Sequence, residues 1–213
     1  MKRKFQHIAY LLMVAAVITS CGEKKQTSEF PDWAWADFQR PEGINPIVSP
    51  DTTTVFYCPM RQDSVAWESS DTFNPAATIY DGKVVVLYRA EDNSAVGIGS
   101  RTSRLGYAYS DDGLHFNRMT VPVFYPADDN QKELEWPGGC EDPRVAVTDD
   151  GLYVMLYTQW NRKQARLAVA TSRDLQIWEK YGPAFAKAYG GRFFDEFSKS
   201  ASIVTKLVDG KQV

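Results

Sequence analysis

From Asn74 onward, apolar and polar residues follow one another in short runs of strand length, each closed by a turn. Ala76 to Tyr80 runs into Asp81-Gly82 and out through Lys83 to Arg89, the signature of a hairpin with a two-residue turn. Arg104 to Ser110 then enters Asp111-Asp112-Gly113, and Leu114-His115-Phe116 leaves it. The same order returns further on. Val145 to Thr148, Asp149-Asp150-Gly151 and Leu152 to Thr158 predict a second hairpin, followed by Arg166 to Ser172, Arg173-Asp174-Leu175 and Gln176-Ile177-Trp178. A third round opens with Ala201 to Leu207, Asp209-Gly210 and Lys211.

Asp81 precedes Asp150 by 69 residues, Asp150 precedes Asp209 by 59, and Ser110 precedes Ser172 by 62. A unit of that length carrying four strands predicts an all-β fold of the β-propeller type, whose blades are four-stranded sheets around a channel. A β-sandwich is the competing architecture, but nothing in it requires the second set of strands to restate the first. Residues 45–213 hold about two and a half such units, fewer than the four that a ring needs. The chain is therefore expected to be a fragment lacking its C-terminal blades.

The first residues follow a different pattern. Lys2, Arg3 and Lys4 precede an apolar run from Ile8 to Ile18, too short for a stable membrane span and suited to an export signal. Ile18-Thr19-Ser20-Cys21 resembles a bacterial lipobox, so residues 1–21 are expected to be a lipoprotein signal with Cys21 as the lipidated residue. Residues 22–44 read as tether and lead-in. The expected location is the bacterial cell envelope, with the lipid as the only membrane attachment.

Composition narrows the chemistry. A formal charge of −3 without a basic run argues against nucleic acid. Of the two histidines, His7 lies in the signal and His115 in a turn, where packing is its expected job, leaving little for a histidine-built zinc site or a Ser-His-Asp triad. Cys58 and Cys140 are either a disulfide or two buried thiols. Aromatic residues reach 13%, which suits stacking on pyranose rings as well as core packing.

The densest chemistry lies in Trp136-Pro137-Gly138-Gly139-Cys140-Glu141-Asp142-Pro143-Arg144. Two adjacent carboxylates stand between a glycine pair and a proline, with Val145 onward reading as strand. Pro143 is expected to bias Asp142 towards an extended backbone. Two close carboxylates resist joint ionisation, which raises the pKa of one, while Arg144 is a candidate to hold the other ionised.

Phe73-Asn74-Pro75-Ala76-Ala77, Leu87-Tyr88-Arg89-Ala90, Arg104-Leu105-Gly106-Tyr107-Ala108 and Gly139-Cys140-Glu141-Asp142-Pro143-Arg144, in that order, resemble the motifs of glycoside hydrolase family 130. The resemblance implies a five-bladed β-propeller that cleaves β-mannosides with inversion, by hydrolysis or by phosphorolysis, and a mannose-containing oligosaccharide as ligand. It implies Asp142 as general acid, with Arg89, Asp92 and Arg104 bonding mannose hydroxyls. Asn74 either bonds a sugar or caps a turn, Glu141 and Arg144 complete the binding set, and Lys199 is expected at the channel from the repeat. No metal or organic cofactor is implied, although the turn aspartates leave calcium open; inorganic phosphate would be co-substrate in a phosphorylase.

Phosphorolysis needs cations to hold phosphate. Arg162 and Arg166 are candidates, but the later stretch Trp178-Glu179-Lys180 lacks an arginine. Export tilts the expectation towards hydrolysis, with Asp195, Glu196 or a residue outside this chain as base. A different five-bladed glycosidase and a non-catalytic glycan-binding lipoprotein are the alternatives.

Overall fold

The computed structural model describes residues 39–205. The expected export signal, Cys21, most of the expected tether and the turn expected at Asp209-Gly210 lie outside them. Contacts divide the chain at Arg40 and Pro41, and every described element lies in the second part.

The fold is all-β and the repeat is physical. After a short hairpin of β1 (Phe56–Cys58) and β2 (Asp63–Val65), β3 (Asp71–Tyr80), β4 (Lys83–Glu91), β5 (Ser103–Ser110) and β6 (Asn117–Arg118) form one antiparallel meander. A four-residue helix, α1 (Lys132–Glu135), leads to the second meander. It comprises β7 (Gly139–Val147), β8 (Tyr153–Trp160), β9 (Ala165–Ser172) and β10 (Glu179–Pro183). A short 3-10 turn at Ala188–Gly191 follows. Among the described residues these two units do not close into a ring.

The turns match because the same hydrogen bonds build them. Ser110 Oγ accepts from the amides of Asp112 and Gly113, and Asp112 Oδ1 accepts from those of Leu114 and His115. Ser172 Oγ accepts from Asp174 and Leu175, and Asp174 Oδ1 from Gln176 and Ile177. Leu175 takes the left-handed backbone (φ 61°) that Gly113 takes in the first unit (φ 73°). A leucine there is strained; full burial of its side chain in the core offsets the strain. His115 is exposed and bonds Asp112 through Nδ1 at 2.7 Å, so it serves the turn and not the packing expected of it.

A buried polar relay is also repeated. In the first unit Tyr88 donates to Glu68 (2.8 Å), and Arg118 reaches both Glu68 (3.2 Å) and Asp51 (2.8 Å). In the second, Tyr157 donates to Glu135 (2.7 Å), and Lys180 reaches both Glu135 (2.5 Å) and Asp129 (3.2 Å). Each relay ties the outer strand and the lead-in segment to the middle of its unit. Burial pushes the Glu68 and Glu135 carboxyls up even against these partners.

Alternation along β4 divides the cores. Val85 and Leu87 face the second unit, in a core with Leu105, Phe124, Cys140, Met155 and Tyr157. Val86, Tyr88 and Ala90 face the other way, packing with Cys58, Val65 and Trp67. A strand buried on both faces reads as a continuous apolar run, as Val84 to Tyr88 does within β4. Cys58 and Cys140 lie in different cores as free thiols, which removes the disulfide alternative. Burial pushes the Cys140 thiol up, making it inert.

The units meet at one backbone junction, where Ser103 pairs with Gly139 and donates from its amide to Gly138 O at 2.8 Å. Gly139 has φ 118°, and a Cβ on it would lie 2.2 Å from Ser103 O. Gly139→Ala is therefore expected to destabilise the fold by about 3 kcal/mol, combining backbone strain with a collision that no rotamer relieves. Urea unfolding measures it; an unchanged midpoint would mean that the junction is looser than described.

Candidate active site

Asn74 and Asp142 occupy the same place in their units. Each precedes a proline, each sits where the inner strand slips register (between Phe73 and Ala76, and between Glu141 and Arg144), and each has positive φ (45° and 52°). The expected extended backbone at Asp142 is thus wrong: the bulge, not Pro143, decides it. Asn and Asp tolerate this region better than other non-glycine residues, and such strain clusters at functional sites. The third segment repeats the feature at Ser200 (φ 56°). Ser200 therefore matches Asn74 and Asp142, while Lys199 matches Phe73 and Glu141, one position off the expected equivalence.

The two bulges meet. Asn74 Nδ2 donates to Asp142 Oδ1 at 2.9 Å across 68 residues of sequence. Arg89, on β4, adds Nη1 to the same oxygen at 3.0 Å. Its Nη2 stands 2.9 Å from Glu141 Oε1 and donates to Glu91 Oε1 at 2.5 Å. Nε donates to Ser103 Oγ at 3.0 Å, and the guanidinium lies over the Phe73 ring, 4.5 Å from its centroid. Lys199 closes the cluster, with Nζ 2.6 Å from Glu141 Oε2 and 3.2 Å from Asp142 Oδ2. Glu141 and Asp142 are 2% and 4% exposed, whereas the Lys199 side chain is 44% exposed. The acids are thus reached past Lys199.

These surroundings separate the two carboxyls. Burial pushes Glu141 up, and Arg89 and Lys199 recover only part of that, so it stays above its ordinary value. Burial also acts on Asp142, but the Asn74 hydrogen bond, Arg89 and Lys199 outweigh it and hold Asp142 low. The raised member of the pair is Glu141. Lys199 is pushed down by burial and more strongly up by the two acids, so it remains a cation.

Other expected residues lie elsewhere. Arg144 donates to Pro143 O at 2.7 Å and pairs with neither acid, because the bulge separates it from them; Arg89 and Lys199 hold the acids instead. Arg104 and Asp92 form a buried ion pair of 2.8 Å. Arg104 shares its face with Ala90, opposite Arg89, and donates to Cys58 Sγ at 3.4 Å. Asp92 accepts from the amides of Ser94 and Thr102, which ties down the intervening loop. Both side chains of this pair are buried. Asp195 binds Arg166 at 2.9 Å and is largely exposed, as is Glu196. Arg162 is exposed, and Lys180 is committed to its relay. Among the described residues no cluster of three or more histidine, cysteine, aspartate or glutamate side chains is arranged to hold a metal.

Glu91 and Ser103 are members of the cluster that the motif reading passed over. The signal was available for Glu91: two residues beyond Arg89 on a strand, it shares that residue's face.

Residues 39–213 match a family model described as β-1,4-mannooligosaccharide phosphorylase. A 1,2-β-oligomannan phosphorylase from Thermoanaerobacter is 36% identical over 151 residues, covering 69% of this chain and 46% of that protein. The crystal structure of a Bacteroides thetaiotaomicron protein described as a glycosidase is 99% identical, with a TM-score of 0.82 over 87% of this chain and 53% of that one. A third relative, 69% identical with a TM-score of 0.81, covers 86% of this chain and 51% of its own. It comes from work on glycoside hydrolases, within a family of mannoside phosphorylases, that target β-1,2 mannosidic linkages in Candida mannan. The chain spans about half the length of these relatives. With its ordered motifs and the family model matched across 39–213, the chain belongs to glycoside hydrolase family 130.

Proposed function

We propose that the protein to which this chain belongs is an exported, lipid-anchored, five-bladed propeller that hydrolyses β-1,2-linked mannooligosaccharides with inversion. The carrying observation is the Arg89 fork, which presents Asp142 and Glu141 side by side behind the partly exposed Lys199. Asp142 serves as general acid. Asn74, Arg89 and Lys199 hold it low, against burial. A sugar hydroxyl that takes the place of Lys199 removes a cation, which moves Asp142 towards the range of a proton donor. The base, a carboxylate about 6.5–9.5 Å from the acid in inverting hydrolases, is assigned to residues outside this chain.

Two observations favour water over phosphate. Arg166, a candidate phosphate ligand, is already neutralised by Asp195, and Lys180 is buried in its relay. The relatives at 99% and 69% identity are described as a glycosidase and in terms of hydrolases, whereas the phosphorylase shares 36%. Phosphorolysis is the second reading, favoured by Arg166 Nη1, which is buried without a partner.

Full-length enzyme incubated with β-1,2-mannobiose, with and without inorganic phosphate, tests the proposal. Free mannose at the same rate in both is expected. Mannose 1-phosphate formed only with phosphate would overturn hydrolysis, and retention of sugar without turnover would leave a binding protein.

A further inference from the structure

Arg89 is held from behind as firmly as it holds the acids in front. Glu91 is fully buried, and its Oε1 accepts from Arg89 Nη2 at 2.5 Å and from Ser103 Oγ at 3.2 Å. Ser103 in turn accepts from Arg89 Nε. Two of the three guanidinium nitrogens are thus tethered on the β4–β5 side, and only Nη1 is given wholly to Asp142. Glu91 Oε2 makes no hydrogen bond and stands 3.5 Å from Arg101, which is itself paired with Asp71. A long, flexible arginine side chain would not, on its own, keep a planar fork aimed at two carboxylates.

We propose that Glu91 is a positioning residue of the reaction: through Arg89, with Ser103 as the second tether, it fixes the alignment of Asp142 and Glu141. This rests on the mannoside-cleaving reading above. The charged groups around Glu91 are Arg89 on its own strand, Arg101 ahead of β5, Asp71 on β3 through Arg101, Glu141 and Asp142 on β7, and Lys199 beyond them. Three carboxylates share Arg89, and Glu91 is the one farthest from the entrance that Lys199 covers.

The test compares Glu91→Ala and Glu91→Gln in the full-length enzyme with β-1,2-mannobiose. Glu91→Ala is expected to lower kcat about 100-fold, the scale of a misplaced catalytic group, with KM changed less than about threefold. Glu91→Gln keeps an oxygen for Arg89 Nη2 and is expected to recover about tenfold of that loss. With one anion fewer, its kcat profile should also lose activity at lower pH on the alkaline side. A purely structural role would move only the melting temperature: equal effects of both variants with an unshifted profile, or wild-type kcat in Glu91→Ala, would overturn the proposal. If the wild-type enzyme cleaves no mannoside, the function reading fails separately. The positioning claim is then read from a crystal structure of Glu91→Ala, where an Arg89 Nη1 still in contact with Asp142 would sink it.

Discussion

Replacing Arg89 with methionine is expected to destabilise the fold by about 3–5 kcal/mol, the cost of leaving buried charge without its partner. Glu91, Glu141 and Asp142 all lie within 3.0 Å of its guanidinium, and none is more than 4% exposed. Methionine fills much of the stem volume, so packing is nearly kept and the loss reports charge. Without the guanidinium, burial raises Glu141 further and Asp142 loses one of the partners that hold it low. Groups raised on folding contribute stability that is full below their unfolded pKa and lost as pH rises through the folded value. The deficit should therefore be larger at pH 7.5 than at pH 5, measured by urea unfolding at both. Arg89→Lys is not expected to rescue, since one ammonium cannot serve Asp142, Glu141, Glu91 and Ser103 together. A small deficit independent of pH would mean that the three carboxylates find other partners.

Asp142→Asn is expected to lower kcat about 1,000-fold, within the range that general acid catalysis contributes, while KM changes little. Asparagine tolerates the left-handed backbone at this position and still offers an oxygen to Asn74 and Arg89, so the fold should persist. The wild-type kcat should fall on the alkaline side as the donor of the sugar complex loses its proton, and the residual activity of the variant should lack that limb. Substantial turnover in Asp142→Asn would move the acid to its neighbour Glu141, the carboxyl that burial holds high. Both arms are informative because the acids touch the same lysine but differ in their other partners.

Much of the fold was legible because its signals are local. Asp81 and Gly82 both take positive φ, as an Asp-Gly hairpin turn requires, and the Ser-x-Asp turns at Ser110 and Ser172 carry the same hydrogen bonds. Alternation marked the strands, and the spacing between Asp81 and Asp150 marked the repeat. The motif order also pointed to Asp142, Glu141, Arg89 and Asn74, which do gather in one cluster.

What alternation cannot give is which face of one strand meets which face of another. Arg89 and Arg104 look alike in sequence, yet the register Arg89↔Leu105 and Ala90↔Arg104 turns them to opposite faces, one to the acids and one to a buried pair with Asp92. The bulges are equally silent: positive φ at Asn74 and Asp142 goes with inner strands slipping register, so Arg144 leaves the acids while Lys199 approaches them. The sequence by itself determined the strands, their turns, the repeat and the residue types of the site, all of which depend on neighbours a few positions apart. The tertiary structure alone decided which arginine holds the acids, which acid is raised, and that Glu91 stands behind them. Those depend on contacts between residues distant in the chain, and the energies that select among them arise only once burial has removed water from around the charges.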